Sequence, residues 1–113
     1  MFYEITRVVN KHHEDYDVLI QRGTKWGNPY KEGSLDYKLS MFSEYFLNQI
    51  RSGHITYDDL KELRGKRLGC SCKPKRCHGD FIAECVELLF SDLYSRESKE
   101  KYFNMEIKLD NEY

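Results

Sequence analysis

Lys66-Arg67-Leu68-Gly69-Cys70-Ser71-Cys72, then Lys73-Pro74-Lys75-Arg76, then Cys77-His78-Gly79-Asp80-Phe81-Ile82, is the stretch whose reading sets the fold class. Leu68, Cys70 and Cys72 alternate with other residues, which is the period of a strand. The next four residues are charged or proline and read as a connection. From Cys77 the apolar positions become Phe81, Ile82, Cys85, Val86, Leu89 and Leu93, the spacing of an amphipathic helix whose face must cover a sheet. Strand, short connection and covering helix together predict an α/β domain.

Outward from that stretch, the chain supplies the other elements. Thr56-Tyr57-Asp58-Asp59 opens a short helix through about Leu63, with acidic residues in its first turn and Gly65 at its end. Leu39, Phe42, Phe46 and Ile50 form one apolar stripe over residues 34–51, with Ser34 as N-cap. Residues 4–9 and 17–22 read as short strands joined by a polar turn, which would make the first sheet pairing. The order predicts a single small Rossmann-like domain over residues 1–94, with a mixed sheet of about three to four strands covered by helices. Residues 95–100 read as a charged linker, and residues 103–109 as an edge strand or a charged tail of the same domain.

At 113 residues there is room for one modest core. Charged residues make up 33% of the chain, and no apolar run approaches the roughly 20 residues that cross a bilayer, so a soluble protein without a membrane partner is expected. The start Met1-Phe2-Tyr3-Glu4 lacks the features of a signal peptide, which predicts a cytoplasmic location and reduced thiols for the four cysteines. A net charge of −1 argues against nucleic acid as a partner. Lys61, Arg64, Lys66, Arg67, Lys73, Lys75 and Arg76 nevertheless gather positive charge around the cysteine segment, as a local anion site would require. The aromatic content is compatible with a homodimer, and no sequence feature marks its face.

Three readings compete for Cys70, Cys72, Cys77, His78, Gly79 and Asp80. As a zinc site, Cys70, Cys72, Cys77 and His78 are the right four ligand types, although C-x-C-x4-C-H departs from the usual knuckles and adjacent ligands rarely close one tetrahedron. As a binding or catalytic corner, the helix start accepts an anion, His78 and Lys75 or Arg76 add donors, and the dipole activates Cys77 as the most reactive thiol; Cys77, His78 and Asp80 are then the catalytic candidates. In the third reading Cys70 and Cys72 are buried strand residues, while His78 and Asp80 cap a helix. Cys85 falls on the apolar helix face and is expected in the core; His12, His13 and His54 are expected at the surface.

A second special segment lies in residues 22–33. Gly23 and Gly27 allow close backbone approach, Trp26 offers a stacking face, Asn28 both donates and accepts, and Pro29 stiffens the turn, with Arg22 and Lys25 as candidate phosphate partners. The same residues would also suit a Trp26 that plugs the core from a loop, with Asn28 capping its own turn.

The Trp26-Gly27-Asn28-Pro29 loop, Leu63-Arg64-Gly65-Lys66-Arg67-Leu68-Gly69-Cys70-Ser71-Cys72 and Cys77-His78-Gly79-Asp80 together resemble the phage and bacterial domain-of-unknown-function family 4326, over about residues 17–90. The resemblance implies a phage origin and no particular reaction; a looser similarity of the cysteine-to-CH segment to other Rossmann-like families of unknown activity favours the ligand corner over zinc. The expected function is binding of a nucleotide or related phosphorylated small molecule, without a cofactor, as in sequestering a host nucleotide signal. The alternatives are an enzyme acting on nucleosides or nucleotides and a zinc-stabilised interaction module.

Overall fold

The computed structural model of the chain describes residues 5–107. Its elements run β1 (Arg7–Asn10), β2 (Val18–Leu19), α1 (Leu35–Arg51), α2 (Tyr57–Leu63), β3 (Arg67–Cys70), α3 (His78–Leu89) and α4 (Arg96–Phe103). This is a small α/β domain.

The sheet is parallel throughout, in the order β1-β3-β2. Arg7 to Asn10 pair in register with Arg67 to Cys70, and Val18 and Leu19 pair with Leu68 and Gly69 from the other side. The expected mixed sheet, with the first two strands paired to each other, is corrected. β3 takes the centre because Leu68, Gly69 and Cys70 are all buried and uncharged, whereas β1 and β2 are partly exposed edges.

β1 and β2 run the same way, yet only residues 11–17 join them, fewer than the dozen or more that parallel crossovers usually take. The central strand they must pass is four residues long, and its Gly69 presents no side chain. Tyr16 lies so close over it that a Cβ on Gly69 would stand 2.6 Å from the Tyr16 ring. The crossing segment is pinned where it lands. The Asp17 N–H donates to the Arg67 carbonyl at 2.8 Å, and the Asp17 carboxylate accepts from the Arg67 guanidinium at 3.1 Å and from its N–H at 2.8 Å.

The Arg67 guanidinium, and then its backbone N–H, hold the Asp17 carboxyl at about 2, below the ordinary 3.8. A carboxyl depressed by folding adds stability above its unfolded pKa and loses it as pH falls through the folded value. Asp17→Asn is therefore expected to lower the urea midpoint at pH 7, with the two midpoints converging as pH is brought from about 4 toward 2. Equal midpoints at pH 7 would remove the pair from the forces that hold the crossing.

α3 is the helix around which the others gather. A Cβ on Gly79 would stand 2.4 Å from Ile20 Cδ1 and 2.9 Å from Val8 Cγ2, so the first turn lies hard against the sheet. Ile82, Cys85, Val86 and Leu89 are buried behind it. α1 packs on α3 through the stripe of Phe42, Phe46 and Ile50, and Ser34 caps it by accepting the Tyr37 N–H. α2 starts from a capping box of Thr56 and Asp59, and Gly65 turns the chain out of it with a φ of +74°.

The C-terminal expectations are corrected. α3 stops at Leu89, and Leu93, expected on its apolar face, is 86% exposed. Ser91 breaks the run by accepting the Leu93 N–H at 3.0 Å, a local turn in place of another helical one. Residues 95–103, read as linker and then strand, form α4: Ser95 caps it and Arg96 pairs with Glu100 one turn on. Phe103 is fully buried and Arg51 of α1 donates to the Tyr102 carbonyl at 3.0 Å, so this segment belongs to the core rather than to a tail. Residues 1–4 and 108–113, part of the first and last strand expectations, lie outside the described residues.

Candidate functional site

Parallel strands place their carboxyl ends at one edge of the sheet, and the chain leaving β2 and β3 walls a cleft there. The cleft has a volume of about 290 Å³. The loop after β2 contributes Gln21, Arg22, Asn28 and Tyr30; α1 contributes Leu35, Lys38 and Leu39; the β3–α3 connection contributes Cys70, Ser71, Cys72, Arg76, Cys77 and His78. Of the sequence candidates, Arg22, Asn28, Cys70, Cys72, Arg76, Cys77 and His78 meet here. Sequence reasoning missed Gln21, Tyr30, Leu35, Lys38, Leu39 and Ser71. Leu35, Lys38 and Leu39 had a signal: they sit at i, i+3 and i+4, the N-terminal continuation of the α1 stripe.

Several candidates have other duties. Trp26 is buried against Phe46, with ring centroids 6.3 Å apart, and offers no stacking face to the cleft; the largest apolar side chain of its loop fills the core instead. Lys25 reaches the other way, to Asp59 at 2.8 Å. Gly27 is required by contact: a Cβ there would stand 2.7 Å from both Arg22 Cα and the Gln21 carbonyl oxygen. Asn28 holds its own loop, accepting the Tyr30 N–H at 2.9 Å and donating to the Lys38 carbonyl at 3.3 Å. Gly23, Pro29, Gly79 and Asp80 do not line the cleft.

The helix start is capped from within, which corrects its reading as the anion holder. Asp80 accepts the Cys77 N–H at 3.1 Å and pairs with Lys73 at 2.7 Å, while Cys77 Sγ accepts the Gly79 N–H at 3.4 Å. These two side chains sit where a phosphate would bind. His78 is buried, and its Nε2 lies 2.8 Å from the Ile20 carbonyl oxygen and 3.1 Å from that of Trp26. Carbonyls only accept, so Nε2 carries the proton and donates. The other ring nitrogen, Nδ1, lies 3.5 Å from Cys77 Sγ.

Cys70 and Cys77 stand with their sulfurs 2.9 Å apart, and the Cys72 N–H points at Cys70 Sγ at 3.4 Å. The hydrogen bond shared with Cys77, aided by the backbone N–H groups of Cys72 and Lys73, outweighs burial and holds the Cys70 thiol below its ordinary value. Cys77 is pushed up, because its ionisation would break that bond and bury a second charge. Burial and the neighbouring Cys70 charge also push Cys72 up. The two sulfurs share one hydrogen bond, so the reactivity expected of Cys77 belongs to the Cys70–Cys77 pair. Cys85 lies in the core, where burial pushes its thiol up to about 12, and His12, His13 and His54 are exposed.

A protein of Enterobacteria phage T4, described as an uncharacterized 12.4 kDa protein in the nrdA-td intergenic region, is 50% identical over 95 residues, covering 82% of this chain and 88% of the relative. Over residues 4–88 the sequence matches the family described as Domain of unknown function (DUF4326). The chain belongs to that family. The DUF4326 span includes every residue that lines the cleft, whereas α4 lies beyond it. No solved structure matches the chain. Among the described residues, no helix of this DUF4326 protein is long and apolar enough to cross a membrane.

Proposed function

We propose that this domain binds a phosphorylated small molecule of the nucleotide class in the cleft at the ends of β2 and β3. One observation carries the reading: Arg22, Lys38 and Arg76 line the cleft, and among the described residues no aspartate or glutamate does. Guanidinium groups suit phosphate oxygens because two N–H donors match two acceptors. Arg76 is held by Asp36 on α1, a partner that an incoming phosphate would replace. Tyr30, Leu35 and Leu39 supply the less polar wall against which a base or sugar would lie. Binding without turnover suffices to withdraw such a molecule from other receptors, including a host nucleotide signal.

Calorimetric titration with mono-, di- and triphosphate nucleosides, a cyclic dinucleotide and inorganic phosphate tests the reading. At least one nucleotide should bind more tightly than phosphate. Arg22→Ala and Lys38→Ala should each weaken it about 10- to 100-fold, the value of one charge-assisted hydrogen bond. Absence of nucleotide binding, or affinity unmoved in both variants, would sink the proposal. The position of the Cys70 thiol in the same cleft favours an enzyme on this ligand class as the second reading, and chromatography of the ligand after incubation separates turnover from retention.

A further inference from the structure

We propose that Cys70, Cys72, Cys77 and His78 form a tetrahedral site for a zinc-class divalent cation at the floor of the cleft. The ligating sulfurs of Cys70, Cys72 and Cys77 all lie within 4.8 Å of one another. Zinc–sulfur bonds of about 2.3 Å in a tetrahedron set sulfurs roughly 3.8 Å apart, and a nitrogen ligand at about 2.0–2.1 Å lies roughly 3.6 Å from each sulfur. The distance from His78 Nδ1 to Cys77 Sγ is 3.5 Å. Neighbouring residues reach one centre because Cys77 is extended, with φ −139° and ψ 149°, while His78 is already the first residue of α3. The Cys70–Cys77 separation of 2.9 Å must open by about 1 Å on binding.

The second observation is the state of His78. Zinc-bound histidines characteristically donate their other ring N–H to a carbonyl or carboxylate, which fixes tautomer and orientation. Here Nε2–H donates to the Ile20 and Trp26 carbonyls, so the ring is held with Nδ1 on the side of Cys77 Sγ, and it joins the three sulfurs as they rearrange around the ion. Cys72 is exposed on the connection after β3, with its sulfur within 4.8 Å of the other two. That connection is anchored on both sides of the turn: Asn10 Nδ2 donates to the Lys73 carbonyl at 2.7 Å, and the Lys75 N–H to that of Cys72 at 2.8 Å. Soft thiolates with one imidazole select zinc over magnesium or calcium, and the thiol protons leave to solvent as the ion enters. The site does not depend on the nucleotide reading, and either can fail alone.

The test uses the full chain, purified reduced and loaded with zinc or cobalt(II). One metal per chain is expected. X-ray absorption at the zinc edge should give three sulfurs at about 2.3 Å and one nitrogen at about 2.0 Å. Cobalt should show tetrahedral ligand-field bands with thiolate charge transfer. Cys72→Ser, an exposed change that spares the core, should weaken zinc by more than about 100-fold, beyond the usual loss for an outer-shell partner, and diminish the charge transfer. Cys85→Ala should bind as the unaltered protein does. Fewer than three sulfurs at the metal, a nitrogen missing from its shell, or undiminished binding in Cys72→Ser would overturn the site. So would three freely titrating thiols in the presence of zinc.

Discussion

Phe46→Ala is expected to remove about 3–5 kcal/mol of folding free energy, the range for deleting a buried aromatic side chain. Phe46 is 1% exposed and meets three other rings: Phe42 at 5.4 Å, Phe81 edge-on at 6.1 Å and Trp26 at 6.3 Å. These come from α1 itself, from α3 and from the loop after β2. Rigid helices on two sides cannot collapse fully into the space, so the cavity term adds to the lost burial. A domain of this size commonly has about 5–15 kcal/mol in total, so the variant should unfold at a much lower denaturant concentration and be marginal near body temperature. Chemical denaturation measures it. A loss under about 1 kcal/mol would mean that the Trp26 loop closes over the gap, and that this loop is less fixed than its contacts imply.

His78→Phe is expected to cost about 1–3 kcal/mol for each of the two carbonyls it deprives of a donor. The substitution keeps a ring near Phe42, which His78 meets edge-on at 4.9 Å, so the loss of the hydrogen bonds is separated from the loss of packing. The Ile20 and Trp26 carbonyls are the points at which α3 grips the exit of β2 and the loop beyond it. Hydrogen exchange should therefore rise first in residues 20–30. If stability falls without faster exchange there, the imidazole is acting through the core and not through the loop.

The α/β class was legible because it rests on a local signal, a two-residue period giving way to a helical one across Cys72 and Cys77. The cap at Ser34 and the helix opening at Thr56 were legible because they too are local signals. Strand pairing was not. Whether β1 meets β2 or β3 depends on contacts 60 residues apart, such as Arg7 with Arg67, for which the turn at residues 11–17 carries no local mark. α4 was lost because one buried residue, Phe103, does not make a period. In the site, the residue types were legible and their orientations were not. The Trp26 ring and the Nε2–H of His78 are directed by core packing and by carbonyls of a distant loop, and the pairing of Cys70 with Cys77 brings together sulfurs seven residues apart.

The central place of β3 also governs the order in which the protein can acquire structure while it is being made. Every inter-strand ladder among the described residues uses β3, so a nascent chain that has reached only residue 66 holds both edge strands and no ladder for either. Synthesis proceeds at about 5–20 residues per second, and for those seconds the two strands emerge with bare hydrogen-bonding edges. α1 and α2, whose backbone hydrogen bonds are local, can form in that interval, but α3, the helix they pack on, has not yet been made. A ribosome stalled before Arg67 should display helix without sheet, and a message truncated there should yield an aggregating fragment rather than a smaller domain.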